Sequence, residues 1–212
     1  MKKGHNILII FFTILSIPIL FIVITNNELK GTWIGEYSIH PEPELFLPNE
    51  RILNFKNVSY SEKAPKHELS IVREGYFSNY FNWIKSKYNT FEIMKIEKDS
   101  LVIINLNDKS NFRTFRKLPD SLKNEQKIKL VGKKFLLENE KGLDTIQFKT
   151  DTNFYSSSIK SNFNWQQVNH SGFQILFMEV YLPFIIVSQN ENSIKLKRLE
   201  KPNDNYILTE LK

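Results

Sequence analysis

The chain has 212 residues and a formal net charge of +6, with 7 Gly, 8 Pro and no Cys. The absence of Cys excludes disulfides, thiolate metal sites and a Cys nucleophile. The low Gly and Pro content excludes a collagenous or low-complexity chain. Lys2 and Lys3 supply two of the positive charges, so the excess over the rest of the chain is mild. With no arginine stripe or recognition motif, we expect no nucleic-acid partner.

Residues 7–25 form an uncharged apolar segment. As a helix it would span about 28 Å, which is close to the hydrocarbon thickness of a bilayer. Lys2 and Lys3 precede it, so the positive-inside rule places the N-terminus in the cytoplasm. We therefore predict a single-pass transmembrane helix in the cytoplasmic membrane, with the remaining chain on the periplasmic or extracellular side. The alternative is a cleaved signal peptide, although no pair of small residues follows the apolar segment.

Beyond residue 27, apolar and polar residues alternate with a period of two, which predicts β-strands. The alternation is clearest in residues 53–58, 91–98 and 145–149. Many short strands with closely spaced turns favour an all-β fold of antiparallel, barrel-like domains. The apolar spacing in residues 76–87 is ambiguous and also fits a helix.

The two halves of the chain contain similar segments in the same order. Residues 81–83 and 163–165 both read Phe-Asn-Trp, and matches at the same offset of 82 continue through the next apolar segments. Upstream matches need offsets of 93 for residues 53–56 and 101 for residues 31–34. The predicted division is a cytoplasmic tip and anchor (1–26), a first β repeat (27–120) and a second β repeat (121–212). Each repeat could close its own barrel, or two half-barrels could pair.

Residues 29–33 read Leu-Lys-Gly-Thr-Trp. This segment resembles the Gly-x-Trp first-strand motif of lipocalins and bacterial lipocalin-like proteins. Residues 91–101 and 115–118 are similar to the later hairpins of that family. The resemblance implies a lipocalin-like barrel that holds a small hydrophobic ligand, with an arginine from a late strand stacked on the tryptophan. The residues that it assigns to the barrel floor are Gly31, Trp33, Arg116 and Arg198.

No pattern of residues indicates catalysis. The four histidines show none of the spacings that are typical of metal ligands, and the sequence contains no nucleophile elbow, phosphate-binding loop or dinucleotide fingerprint. Residues 156–158 are three consecutive serines, which favour a polar loop; a nucleophile served by His170 is the functional alternative. We therefore expect no enzymatic activity, no metal site and no cofactor.

Two functions remain open. The first is a membrane-anchored extracytoplasmic binding module for an apolar or amphipathic, lipid-like small molecule, with Tyr76, Tyr80 and Phe91 as candidate ligand contacts. The second is a membrane-tethered protein-interaction module without enzymatic activity, such as an immunity-type protein or an envelope assembly factor. A large apolar cavity would favour the first function, and a filled core with an exposed aromatic patch would favour the second.

Overall fold

In the computed structural model, the described residues are 26–41, 44–64, 73–78, 81–126, 128–139, 142–199 and 205–211. They form seventeen β-strands and two short 3-10 helices, Asn26–Glu28 and Asp120–Leu122. The strands build two closed, antiparallel, eight-stranded barrels. The prediction of an all-β fold with two similar barrel units is therefore confirmed. The predicted membrane helix at 7–25 lies outside the described residues, and none of the helices within them is long and apolar enough to cross a membrane.

Barrel 1 contains the first nine strands. They are β1 (Gly31–Pro41), β2 (Glu44–Pro48), β3 (Ile52–Phe55), β4 (Ser59–Lys63), β5 (Arg73–Ser78), β6 (Trp83–Ser86), β7 (Thr90–Glu97), β8 (Ser100–Asn105) and β9 (Asp108–Lys117). The strands β2 and β3 pair end to end along the same edge of β1, so together they act as one broken strand. Pairing of β9 with the other edge of β1 closes the barrel.

Barrel 2 contains the remaining eight strands. They are β10 (Lys134–Asn139), β11 (Gly142–Phe148), β12 (Asn153–Ser156), β13 (Ser161–His170), β14 (Phe173–Met178), β15 (Phe184–Gln189), β16 (Ser193–Lys197) and β17 (Asn205–Glu210). Each strand pairs with the next, and β17 returns to pair with β10. Among the described strands, each strand of barrel 2 therefore has a partner on both edges, whereas β2 of barrel 1 pairs along one edge only.

The ambiguous segment at residues 76–87 forms a hairpin and not a helix. Phe77 of β5 pairs with Ile84 of β6, and both side chains are buried inside barrel 1. The neighbouring Tyr76 points outward and is 65% exposed. Strand alternation thus separates adjacent aromatic residues onto opposite faces of the sheet.

Apolar side chains pack the interior of both barrels. In barrel 1, the rings of Phe55 and Phe77 meet edge to face, with their centroids 4.8 Å apart. In barrel 2, Phe148 and Trp165 make the same kind of contact at 4.6 Å. An eight-stranded barrel has an interior just wide enough for side chains to fill, which is the arrangement found in both units.

Cross-strand register, taken together with the match of residues 53–56 to residues 146–149, relates the positions of the two barrels. It makes Trp33 equivalent to Phe135, an offset of 102 where the sequence match of residues 31–34 used 101. Trp33 of β1 pairs with Leu53, and Phe135 of β10 pairs with Ile146. The offset between Leu53 and Ile146 is 93, and the same offset relates the partners of Trp33 and Phe135 on β9 and β17. The offset of 82 instead matches the fifth strand of barrel 1 with the fourth strand of barrel 2. It therefore reflects similar strand composition and not equivalent positions.

An apolar interface joins the two barrels. Every residue of β14 is buried, because one face of this strand lines barrel 2 while Phe173, Ile175 and Phe177 on the other face pack against barrel 1. The opposing side chains include Ile34 of β1 and Ile52 of β3. A strand that is buried on both faces reads as a continuous apolar run.

Candidate functional site

The floor of barrel 1 is closed around Trp33. Its indole Nε1 donates a hydrogen bond of 2.7 Å to the carbonyl of Leu29. The cation over the indole ring is Lys117, whose Nζ lies 5.4 Å from the ring centroid. Trp33 and Lys117 are cross-strand partners and so share a face of the sheet. Arg116 is the next residue along β9, so it points outward, where its Nε lies 2.9 Å from Glu36.

The other two predicted floor residues also have defined places. Gly31 has a φ of 124°, a backbone conformation that favours glycine, and a Cβ there would lie 3.2 Å from Cε of Lys117. Arg198 lies over the ring of Tyr206 in barrel 2, with its Cζ 5.6 Å from the ring centroid. The residue of barrel 2 that is equivalent to Trp33 is Phe135, and Arg198 belongs to a different aromatic contact.

Two of the three predicted ligand contacts lie on opposite faces of the barrel wall. Phe91 is 2% exposed inside barrel 1, whereas Tyr76 is on the outer surface of β5. Tyr80 lies outside the described residues. A shared role for these three side chains stays a prediction.

The opposite end of barrel 1 from Trp33 carries four charged side chains. They are Arg51, at the entrance to β3, Glu62 of β4, Arg73 of β5 and Arg113 of β9. Arg51 is hydrogen-bonded to Oε1 of Glu62. Nη1 of Arg113 lies 3.9 Å from the same oxygen, and Nη1 of Arg73 lies 3.9 Å from Oε2. We call these four side chains the mouth cluster.

Strand alternation explains why the mouth cluster faces inward. Arg51 lies two residues before Leu53, and Arg113 lies two residues before Phe115, and both apolar residues belong to the core of barrel 1. The arginines therefore continue the inward-facing rows beyond the end of that core. Burying a charge costs free energy unless an opposite charge compensates it, and Glu62 supplies one negative charge beside the three arginines.

The surroundings hold the guanidinium groups in place. The Cζ atom of Arg113 lies 5.4 Å from the ring centroid of Phe91, which forms the base of the site. With its amide oxygen turned toward Arg73, Asn89 accepts a hydrogen bond of 2.7 Å from Nη1. The Glu62 side chain is 2% exposed, and its Oε2 accepts no hydrogen bond from the described residues. The arginine side chains remain 14–23% exposed and so can be reached from solvent.

Charge and apolar surface meet at the same end of the barrel. The mouth cluster contains three cations and one anion, so these four side chains sum to +2. On the surrounding rim, Tyr88 is 69% exposed and Leu106 is 39% exposed. Their two turns are linked by a hydrogen bond of 3.0 Å from the backbone N–H of Leu106 to the carbonyl of Thr90. Among the described residues, the mouth cluster therefore lies at the same end of the barrel as an exposed tyrosine and an exposed leucine.

Barrel 2 has a different structure at the equivalent position. Asp144 precedes Ile146 by two residues, as Arg51 precedes Leu53, so Asp144 and Arg51 are equivalent. Asp144 accepts hydrogen bonds from the hydroxyls of Ser156 at 2.6 Å and Tyr181 at 2.8 Å.

Two further donors surround the same carboxylate. The Ser157 hydroxyl lies 3.0 Å and the Ser158 N–H 2.9 Å from Asp144 Oδ1. Burial alone would raise the pKa of Asp144, but hydrogen bonds from Ser156, Ser158 and Tyr181 lower it overall. Burial and the contact with Asp144 raise the pKa of Tyr181 to about 12. This end of barrel 2 is a saturated hydrogen-bonded plug.

The three serines are therefore part of this plug. Ser156 pairs with Ser161 at the start of β13, and His170 ends the same strand. At about 3.3 Å per residue, that length of strand separates the serine and the histidine by roughly 30 Å. Burial, together with the charge of Lys63, lowers the pKa of His170. Within the described residues, no group of three or more His, Asp or Glu side chains could hold a metal ion.

Comparison with known proteins does not identify a relative: the chain matches no protein-family model, no curated protein and no solved structure. The resemblance to lipocalin-like proteins stays a prediction. The mouth cluster is the feature that sequence reasoning missed. The sequence feature that could have revealed it is a charged residue spaced two positions from an inward-facing apolar residue. It occurs on three strands, in the pairs Arg51 and Leu53, Glu62 and Tyr60, and Arg113 and Phe115.

Proposed function

We propose that the mouth of barrel 1 binds an anionic amphipathic small molecule. The observation that carries this proposal is the convergence of Arg51, Arg73 and Arg113 on a single buried carboxylate at one end of barrel 1. Guanidinium groups suit carboxylate and phosphate oxygens because they offer paired, charge-assisted hydrogen bonds. The anionic head enters the mouth cluster, and the apolar part of the ligand rests on Tyr88 and Leu106.

The presence of two similar barrels in one chain supports a specific role for barrel 1. Both barrels share strand order, closure and an apolar interior, so the barrel fold alone does not require arginines at this position. Barrel 2 closes the equivalent place with Asp144 and its hydroxyl donors. The same chain thus contains a barrel that closes this position with hydrogen bonds alone. Barrel 1 instead has arginines there.

The packed interior limits how the ligand can bind. Phe91 lies directly beneath Arg113, and Phe55 and Phe77 fill the space further down. An extended tail inside the barrel, as the family resemblance implied, would have to displace these rings. The proposal therefore places the tail at the rim. The predicted anchor at residues 7–25 would hold this site on the extracytoplasmic side, close to the lipid head groups.

Calorimetry with short amphiphiles tests the proposal. The full-length chain is reconstituted in phosphatidylcholine nanodiscs and titrated with hexyl phosphate, hexyl sulfate, hexanoate and uncharged hexanol, with empty nanodiscs as the blank. We expect saturable binding of at least one anionic ligand and none of hexanol. Arg73→Met should weaken that binding by about tenfold, since a hydrogen bond to a charged group contributes about 1.5–3 kcal/mol. Equal binding of hexanol would contradict the proposal.

A protein-interaction module is the second candidate function. It is favoured by the filled interior of both barrels and by the exposed aromatic residues Tyr76 and Phe81, of which Phe81 is 59% exposed. Crosslinking in intact membranes would test it by comparing the wild-type chain with a Tyr76→Ser and Phe81→Ser double variant. A stoichiometric partner that is lost in the variant would support this function. An unchanged crosslinking pattern would argue against it.

A further inference from the structure

We infer that the end of β13 is a docking edge for an extended peptide segment of a partner protein. The segment adds one strand to the sheet of barrel 2 through backbone hydrogen bonds with Gln167 and Asn169. This edge belongs to barrel 2 and does not depend on the mouth cluster of barrel 1. It follows from the length of β13, from the direction of its backbone groups and from a groove beside it.

Strand β13 projects beyond its neighbour β12. Pairing between these two strands ends at Asn164. One further hydrogen bond, 3.0 Å long, runs from the Trp165 N–H to the carbonyl of Thr152, just before β12. Pairing of β13 with β14 instead continues to His170. Among the described strands, residues 166–170 therefore have a neighbour on one edge only.

The backbone groups of Gln167 and Asn169 point toward the open edge. In an antiparallel ladder, successive residues direct their N–H and C=O groups alternately to the two sides of the strand. The N–H of Trp165 points to β12, whereas the carbonyl of Asn164 accepts a hydrogen bond of 2.9 Å from Glu179, which follows β14. Odd-numbered residues of β13 thus face the open edge. In the described part of the chain, no backbone group bonds to Gln167 or Asn169 from that side.

A groove of about 750 Å³ runs beside this edge, a volume within the range of ligand-binding clefts. Its lining includes Trp165, Gln167 and Asn169 from β13 and residues 128–131 from the segment that connects the barrels. A folded sheet could reach β13 only by displacing residues 128–131, whereas a single extended chain can lie between them and the edge. The occupant is therefore an extended segment of a partner and not a second copy of barrel 2.

The sequence of this edge lacks the features that commonly prevent strand addition. Exposed edges are usually protected by lysine, by proline or by a bulge. Residues 166–169 read Gln-Gln-Val-Asn, and their register with β14 is regular. Val168 packs in the apolar interface with barrel 1, which holds the projecting strand in place. The edge is thus fixed in position and open to pairing.

The side chains beside the edge indicate which partner segments fit. Gln167 and Asn169 share the face of Trp165, and Gln174, the cross-strand partner of Asn169, lies on the same face and is 3% exposed. The side-chain amide of Gln167 donates a hydrogen bond of 3.1 Å to that of Gln174. Every second side chain of an added strand would lie next to these amides. We therefore expect Ser, Thr, Asn or Gln at alternate positions of the partner segment, because their side chains can donate to and accept from an amide.

Peptide selection tests the inference. A phage-displayed library of random peptides is selected on the full-length chain in phosphatidylcholine nanodiscs, after removal of the peptides that bind the variant Asn169→Pro. This proline removes an N–H from the open edge, a position at which strands tolerate proline. We expect enriched peptides with polar residues at alternate positions, whose affinity is about fivefold lower for Asn169→Pro because one hydrogen bond is lost. Failure to enrich any peptide that distinguishes wild type from Asn169→Pro would overturn the inference.

A matched variant separates backbone from side-chain recognition. Asn169→Ala retains the backbone N–H and removes only an exposed side chain, so it should weaken peptide binding less than Asn169→Pro does. Equal losses in the two variants would contradict pairing through the backbone. Arg73→Met should leave peptide binding unchanged, which keeps this test separate from that of the anion site. Thermal unfolding establishes that each variant is folded.

Hydrogen exchange of the wild-type chain gives a readout that needs no variant. The amides of Gln167 and Asn169 should exchange rapidly in the free protein and at least tenfold more slowly with a saturating selected peptide, because unpaired N–H groups become hydrogen-bonded. Unchanged exchange at both amides would overturn the inference. A dimer of the wild-type chain that dissociates in Asn169→Pro would also overturn it, since a second copy would then occupy the edge.

Discussion

Arg51 and Asp144 occupy equivalent positions in the two barrels and carry opposite charges. Asp144 is enclosed by hydroxyl and N–H donors, and this end of barrel 2 is closed by hydrogen bonds. Arg51 is instead paired with Glu62 in a cluster that has more cations than anions. The two barrels therefore differ in charge at one equivalent position, with a hydrogen-bonded carboxylate in barrel 2 and an ion-paired arginine in barrel 1.

The first prediction concerns the plug of barrel 2. Asp144→Asn should destabilise the protein at pH 7 by about 2–3 kcal/mol, because hydrogen bonds to a carboxylate are stronger than those to an amide. The folded-state pKa of Asp144 is lowered, so its contribution to stability is present above the unfolded pKa of about 4. That contribution is lost as the pH falls through the folded pKa. Urea unfolding should show a smaller loss of stability between pH 5 and pH 2 in the variant.

Ser157→Ala is a milder change in the same hydrogen-bond network, and its loss of stability is compared with that of Asp144→Asn. It removes one of the hydroxyl donors to Asp144 and leaves the shortest bond, from Ser156, intact. A loss of about 1 kcal/mol is expected. If Asp144→Asn were no more destabilising than Ser157→Ala, the carboxylate would not be the centre of this network.

The second prediction concerns the pairing in the mouth cluster. Glu62→Ala leaves three guanidinium groups without their shared carboxylate, and removing one partner of a buried ion pair costs about 3–5 kcal/mol. Inorganic phosphate should restore part of the lost stability, because it can take the place of the carboxylate. Melting temperatures are measured with and without phosphate at constant ionic strength. Wild type and Arg116→Met serve as controls, and rescue of equal size in all three proteins would contradict an anion site.

Period-two alternation was enough to predict strands such as residues 53–55 and 91–97, because inward-facing apolar residues recur at every second position, apart from a bulge between Ile93 and Lys95. The closure of each barrel and the offset of 93 could not be predicted, since both depend on register between distant strands. The mouth cluster was missed for the same reason. Alternation places Arg113 on the same face as Phe115 and Arg116 on the other, but only the register between distant strands brings Arg113 to Glu62.

The third prediction concerns the floor of barrel 1. Trp33→Phe removes the hydrogen bond from the indole N–H to Leu29 and leaves a small cavity in a fully buried position. We expect a loss of about 2–3 kcal/mol from the combined hydrogen-bond and cavity effects. Trp83→Phe is the matched control, because Trp83 is only partly buried and lies outside the core. Equal losses for the two variants in urea unfolding would contradict the role assigned to Trp33.

The last prediction concerns the interface between the barrels. Phe177 is 1% exposed and belongs to the cluster in which Ile34 and Ile52 of barrel 1 pack against β14. Because this interface couples the two units, the wild-type chain should unfold in a single transition in calorimetry. Phe177→Asp places a charge in that apolar contact, where burying it costs free energy. The variant should therefore unfold in two transitions, one for each barrel. Val180→Asp is the control, since Val180 is 48% exposed in the β14–β15 turn. Retention of one transition at a slightly lower temperature in Phe177→Asp would mean that the barrels do not depend on this contact for their cooperativity.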